Sequence, residues 1–193
     1  MSTSEAFKHY SPATRFLFRI IGPVMASVMG SRLRYRLNNP VRILEGAGLL
    51  PGQDVLEVGC GTGHFTIPAA GKIGDKGSLH AIDIYPSSIE CVSKKLADRQ
   101  ITTVRLTNAD AMDSGLPDAS YDLILLFGVV PAPMISLKKL LPEMHRLLRP
   151  GGTLAIWPFL WLSHKSFTDD GLFSFSGRKN GVHNFRKIDA VAG

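Results

Sequence analysis

The sequence is poor in the features that mark several large protein classes. Two cysteines in 193 residues are too few for a disulfide scaffold, and they fit a reducing compartment. No uncharged apolar run reaches the about 20 residues that a spanning helix needs. Residues 20–31, between Arg19 and Arg32, are too short and contain Gly22 and Pro23. Residues 123–137 are broken by Pro131 and Pro133 and read as a buried strand and a turn. No small-residue cleavage site follows a signal-like stretch, so a cytoplasmic location is expected. There is no internal repeat. With 45% hydrophobic and 20% charged residues, wholesale disorder is excluded.

Acidic surplus is also lacking: 22 Lys and Arg face 16 Asp and Glu, for a net charge of +6. The excess is uneven. Residues 1–46 hold seven basic and two acidic side chains, whereas residues 47–156 hold ten and eleven. The chain therefore divides into a basic N-terminal arm, 1–46, and a domain, 47–193. In the arm, Ser11-Pro12 reads as a helix start. Ala13, Phe16, Leu17, Ile20, Ile21 and Val24 share one helical stripe, with Arg15 and Arg19 opposite. Two readings of this arm stay open. It covers a cleft as a lid that excludes water, or it lies on an anionic membrane surface.

From Gln53 onward, strand and helix patterns alternate. Residues 54–58 form a short apolar strand running into glycines 59, 61 and 63, and a helix is expected from about 64 to 72. Residues 79–84 read as the second strand. Ser87 with Glu90 suggests a capping box for the helix that buries Ile89, Val92 and Leu96. Residues 102–106 are the expected third strand and 121–130 a central fourth. Leu137, Leu140, Leu141, Met144 and Leu148 recur at helical spacing, and Pro142 is expected to kink or restart that helix. Residues 149–152 read as a turn before strand five, 153–157. Two further strands, 172–176 and 182–187, flank Asn180-Gly181, a strong hairpin signal. The fold class is α/β: a mostly parallel sheet with helices on both faces and an antiparallel C-terminal hairpin. Ligands of such sheets bind at the carboxyl ends of the strands, near the topological switch point.

Glycines 59, 61 and 63 after a strand allow a tight turn and close approach to a ligand. Asp83 follows at the end of the next strand, where a carboxylate can accept both hydroxyls of a ribose. Asn108-Ala-Asp110-Ala111 follows the third strand, where an acceptor could meet an adenine amino group. A dinucleotide turn needs a small residue at position 64, where this chain has His64. Glu57 would repel a pyrophosphate and attract an ammonium.

Residues 55–63, 81–83 and 109–111, together with Glu143-Met-His-Arg146 through Gly152, resemble the motifs of class I S-adenosylmethionine-dependent methyltransferases. The similarity is to the broad ubiquinone/menaquinone-biosynthesis-type group, and it covers about residues 45–157. It implies a Rossmann-like fold and S-adenosyl-L-methionine as cofactor, with S-adenosyl-L-homocysteine as product. By the same resemblance, Glu57, Gly59, Cys60, Gly61 and Gly63 form the methionine end. Asp83 holds the ribose, Ile84 packs on the adenine, and Asp110 and the Ala111 N–H read its edge. Phe127 lines the methionine end through its backbone.

The acceptor side is expected to be a small, apolar molecule. The Asn/Asp-Pro-Pro-aromatic motif of nucleic-acid amino-methyltransferases is missing after strand four, so nucleic acid is not favoured. Residues 128–134 and 157–162 are apolar or aromatic and suggest a greasy pocket. Cys60 and Cys91 read as small packing residues, and no magnesium-holding Asp/Asn cluster is visible, so no metal is expected. His9, Tyr10 and His164 are the candidate bases, because the arm and the segment after strand five can cover the site.

Overall fold

The computed structural model describes residues 39–130, 135–158 and 163–189. The arm's stripe, His9, Tyr10, Pro131 to Met134 and Trp161 lie outside them. The elements are α1 (Pro40–Gly46), β1 (Asp54–Val58), α2 (Thr66–Ile73), β2 (Ser78–Asp83), α3 (Pro86–Ala97), β3 (Val104–Asn108), β4 (Tyr121–Phe127), α4 (Leu137–Leu147), β5 (Leu148–Trp157), a 3-10 turn (His164–Phe167), β6 (Phe173–Lys179) and β7 (Val182–Lys187).

The seven strands among the described residues form one sheet in the order β3-β2-β1-β4-β5-β7-β6. The first five are parallel, while β7 runs antiparallel to both β5 and β6. The order reverses at β1, which pairs with β2 on one side and β4 on the other. That reversal places the glycine loop at the switch point, where the loops from β1 and β4 diverge to opposite faces.

The two central strands explain their own apolarity. Val55, Leu56, Leu123, Ile124, Leu125 and Leu126 are all buried, as expected of strands covered on both faces. On one face Leu56, Ile124, Leu126, Leu154 and Phe185 meet Leu140, Leu141, Met144 and Leu147 of α4. On the other, Val55, Leu123, Leu125 and Phe127 meet Ile43 and Leu44 of α1 and Phe65, Ala69 and Ile73 around α2. Residues 40–46 of the basic arm are thus helical and packed on the domain. Asn39 caps that helix, its Oδ1 accepting from Val41 N–H at 3.0 Å, and Pro40 stands in the first turn.

Several local expectations shift. Helix α2 begins at Thr66 rather than His64, because residues 61–65 are spent on turns. The Ser87–Glu90 capping box does not form: Tyr85 is the N-cap and Pro86 starts α3, which puts Ser87 inside the helix. Strand β3 lies two residues later than its β-branched run suggested. Helix α4 passes through Pro142 without restarting. The Arg149–Gly152 turn is absorbed into β5 as an irregularity, where the register slips between Tyr121↔Leu148 and Leu123↔Thr153. The closing hairpin forms as expected, with Asn180 at φ 51° and Gly181 at φ 81°, the doubly left-handed geometry of a type I′ turn. Among the described residues no helix is long and apolar enough to cross a membrane.

Candidate functional site

The site is built on the loop that leaves β1. Gly59 and Gly61 have φ of 75° and 53°, a region costly for side-chain-bearing residues. A Cβ at Gly59 would come within 2.7 Å of Val129 Cγ2, whereas one at Gly61 would meet nothing within 4 Å. The loop is therefore pressed against the β4 exit on one side and open on the other. Backbone bonds fix its base: Gly59 and Cys60 N–H both donate to Ile82 O, at 2.8 and 3.1 Å.

Asp83 closes the loop from β2. Its Oδ2 accepts Gly61 N–H at 2.8 Å and its Oδ1 accepts Tyr85 N–H at 2.9 Å. The carboxylate is 6% exposed. Burial raises its pKa, and the Tyr85, Gly61, Ser88 and Ile84 donors pull it back. Its own carbonyl accepts Asn108 Nδ2 at 2.8 Å and Ala109 N–H at 3.1 Å, which stitches the ends of β2 and β3 together. The segment expected to meet adenine is ordered by the same means: Asp110 Oδ1 accepts Met112 N–H at 2.9 Å. Ile84, next to Asp83 in the chain, is half-buried, as are Asp110 and Ala111, which follow β3 where Asn108 pairs with Asp83.

Glu57 is 2% exposed, and its Oε2 is buried without a hydrogen-bond partner. Its pKa is pushed up to about 8, chiefly by burial; Thr66 eases the rise and the neighbouring Asp83 charge adds to it. Cys60 is buried with Ala81, Val92 and Leu96, the packing role expected of it. Its thiol is also driven upward by burial and by Glu57 and Asp83. Two buried carboxylates thus share one edge of the sheet, and no lysine or arginine among the described residues pairs with either. Two charges there would be costly, and the raised pKa of Glu57 relieves that cost by keeping it protonated.

Phe127 is 3% exposed and its ring packs edge-on against Phe65 at 4.9 Å, so only its backbone can face the site. His164 comes from the segment that follows β5. It lies in the 3-10 turn, stacked on Phe175 at 3.9 Å, with its Nε2 2.6 Å from His183 Nδ1. His183 sits opposite Ile156 near the carboxyl end of β5, on the face that carries α4. The pairing across 19 residues leaves no local sequence pattern.

The Glu143–Arg146 motif lies on α4. Arg146 bonds Glu143 through Nε and Nη2 at 2.8 and 2.7 Å, reaches Leu116 O and pairs with Asp118. Glu143 accepts both Ser114 N–H and Ser114 Oγ–H. This cluster fastens the loop that leads into β4. Among the described residues no group of His, Cys, Asp or Glu is arranged to hold a metal.

A match over residues 55–152, half of the chain, is to the family described as "Methyltransferase domain". The chain belongs to this family. Its fold is the Rossmann-like fold of class I S-adenosylmethionine-dependent methyltransferases. An aklanonic acid methyltransferase of Streptomyces sp. (strain C5) is 37% identical over 84 residues, which is 44% of this chain and 38% of that protein. A demethylmenaquinone methyltransferase of Staphylococcus aureus (strain MRSA252) is 34% identical over 114 residues, 58% of this chain and 45% of its own. The chain spans less than half the length of these curated relatives. The crystal structure of a SAM-dependent methyltransferase from Aquifex aeolicus superposes with a TM-score of 0.70 at 21% identity, covering 86% of this chain and 97% of that one.

Proposed function

We propose that the protein binds S-adenosylmethionine at this edge and transfers its methyl group to a small, apolar acceptor. The observation that carries the reading is the orphaned Oε2 of Glu57 beside buried Asp83. A ligand with an ammonium, a diol and no phosphate suits this donor set. The ammonium meets Glu57, directly or through water, and the diol meets the Asp83 carboxylate. Gly59, Gly61 and Gly63 let the backbone approach the methionine end, Ile84 covers one adenine face, and Asp110 with the Ala111 N–H reads its edge.

Held by these residues, S-adenosylmethionine would supply an activated methyl group, with the electron pair of the S–CH3 bond staying on sulfur as the acceptor takes the methyl. The protein's own part is orientation and water exclusion. Of the candidate bases, His164 is the one among the described residues. In this reading it takes the proton that the acceptor sheds, with His183 holding its ring.

The names of the two curated relatives favour an aromatic or quinone-type acceptor, and with it a second reading: delivery of a quinone or other lipid from an anionic membrane surface by the basic arm. The test is methyl transfer from labelled S-adenosylmethionine to a panel of quinols, phenols, thiols, amines and lipids. Labelled phenol or quinol product supports the proposal, and a product restricted to vesicle-embedded acceptors selects the second reading. Tight S-adenosylhomocysteine binding with no product from any class would instead make the chain a non-catalytic binding module.

A further inference from the structure

A loop with three left-handed glycines has more backbone freedom to lose than any other segment of its length. It must be held from outside if it is to be ready for a ligand. Three holds are accounted for by backbone bonds to Ile82, by Gly61 N–H on Asp83, and by Gly63 N–H on Cys60 O at 2.8 Å. A fourth comes from α3. Lys95 Nζ donates to Thr62 O at 2.6 Å, across 33 residues.

The surroundings of Lys95 are unusual for a lysine. It is half-buried while Lys94 beside it is exposed, and no carboxylate among the described residues pairs with it. One turn earlier, Val92 is fully buried and stands against Gly63, where a Cβ would meet its Cγ2 at 3.3 Å. Successive turns of α3 thus grip two consecutive residues of the loop, Val92 by contact and Lys95 by a charged hydrogen bond. The helix itself starts three residues after Asp83. One rigid element therefore ties the ribose carboxylate to the glycine turn.

We propose that Lys95 is a positioning residue that holds the Gly61–Gly63 backbone in its ligand-ready shape, so that losing it weakens recognition of the amino-acid end of the cofactor while sparing the nucleoside end. The proposal rests on the S-adenosylmethionine reading above. The ammonium is suited to this task because a charged donor makes the stronger class of hydrogen bond and tolerates a flexible acceptor.

The test compares wild type with Lys95→Met, Lys95→Gln and Lys95→Arg. Calorimetry is run with S-adenosylhomocysteine and with 5′-methylthioadenosine, which lacks the amino-acid end. Lys95→Met and Lys95→Gln are expected to weaken S-adenosylhomocysteine by about tenfold, the scale of one charged hydrogen bond. They should leave methylthioadenosine binding unchanged, and Lys95→Arg should restore most of the affinity. Amide exchange of residues 61–63 in the ligand-free protein should accelerate in Lys95→Met. Equal weakening of both ligands, or unaltered affinity and exchange in Lys95→Met, overturns the proposal. A wild type that binds neither ligand removes the cofactor reading instead, and exchange at residues 61–63 still decides whether Lys95 fastens the loop.

Discussion

Gly61 N–H donates to Asp83 Oδ2 at 2.8 Å, joining the glycine turn after β1 to the last residue of β2. The two parts of the proposed cofactor site are therefore joined by a hydrogen bond of the protein itself. Changing Asp83 therefore disturbs the loop as well as the sugar contact proposed for it.

Glu57 predicts a pH-dependent affinity. Its carboxyl is neutral in the ligand-free protein below about 8, whereas an ammonium ligand requires it charged. Affinity for S-adenosylhomocysteine should rise with pH towards 8, and binding at pH 7 should release a proton. Calorimetry in two buffers of different ionisation enthalpy reads that proton directly. Glu57→Gln should abolish the release.

The same residue sets a stability cost. Its folded pKa lies above the unfolded value of 4.5, so the folded state binds the extra proton and loses stability as pH rises from 4.5 through about 8. Glu57→Gln is expected to raise the ligand-free Tm at pH 8 and to weaken cofactor binding. A Tm unchanged at pH 8 would contradict the burial of this carboxyl.

His80 acts in the opposite direction. Its Nδ1 lies 2.7 Å from Tyr121 Oη and its Nε2 2.8 Å from Thr107 Oγ1. Burial, aided by Arg105, lowers its pKa from 6.5 to about 4. The unfolded chain takes up a proton that the folded state refuses, so stability should fall as pH drops from 6.5 to 4. Urea midpoints across that range should flatten in His80→Gln.

Glu143 and Arg146 should matter for folding and leave the cofactor alone. Arg146 holds the Glu143 carboxyl down at about 2. Its stabilising effect is present above 4.5 and is lost as pH falls towards 2. Arg146→Met should cost about 1–3 kcal/mol, between an exposed pair and a buried one. Its S-adenosylhomocysteine affinity, measured on the folded fraction, should match wild type.

What the sequence made legible follows one rule: signals that repeat locally or demand one residue type could be read. The alternation of β and α units specified the sheet, Asn180-Gly181 specified its hairpin, and three glycines followed by Asp83 specified the loop that meets β2 at the switch point. Contacts between distant positions could not be read. Lys95 meets Thr62, His164 meets His183, and His80 meets Tyr121 and Thr107, all without periodicity or motif. The Ser87–Glu90 pattern misled because Pro86, fixed in φ, was the better helix start. The turn signal of Pro150-Gly151-Gly152 misled because a strand can absorb it as a bulge.

The most direct test of the account is calorimetry with S-adenosylhomocysteine, wild type against Asp83→Ala. Clear binding by wild type and a loss of about 1–3 kcal/mol in the variant, the scale of charged hydrogen bonds, is the predicted result. Equal affinity in the two proteins, or no binding by either while NAD binds, would contradict it.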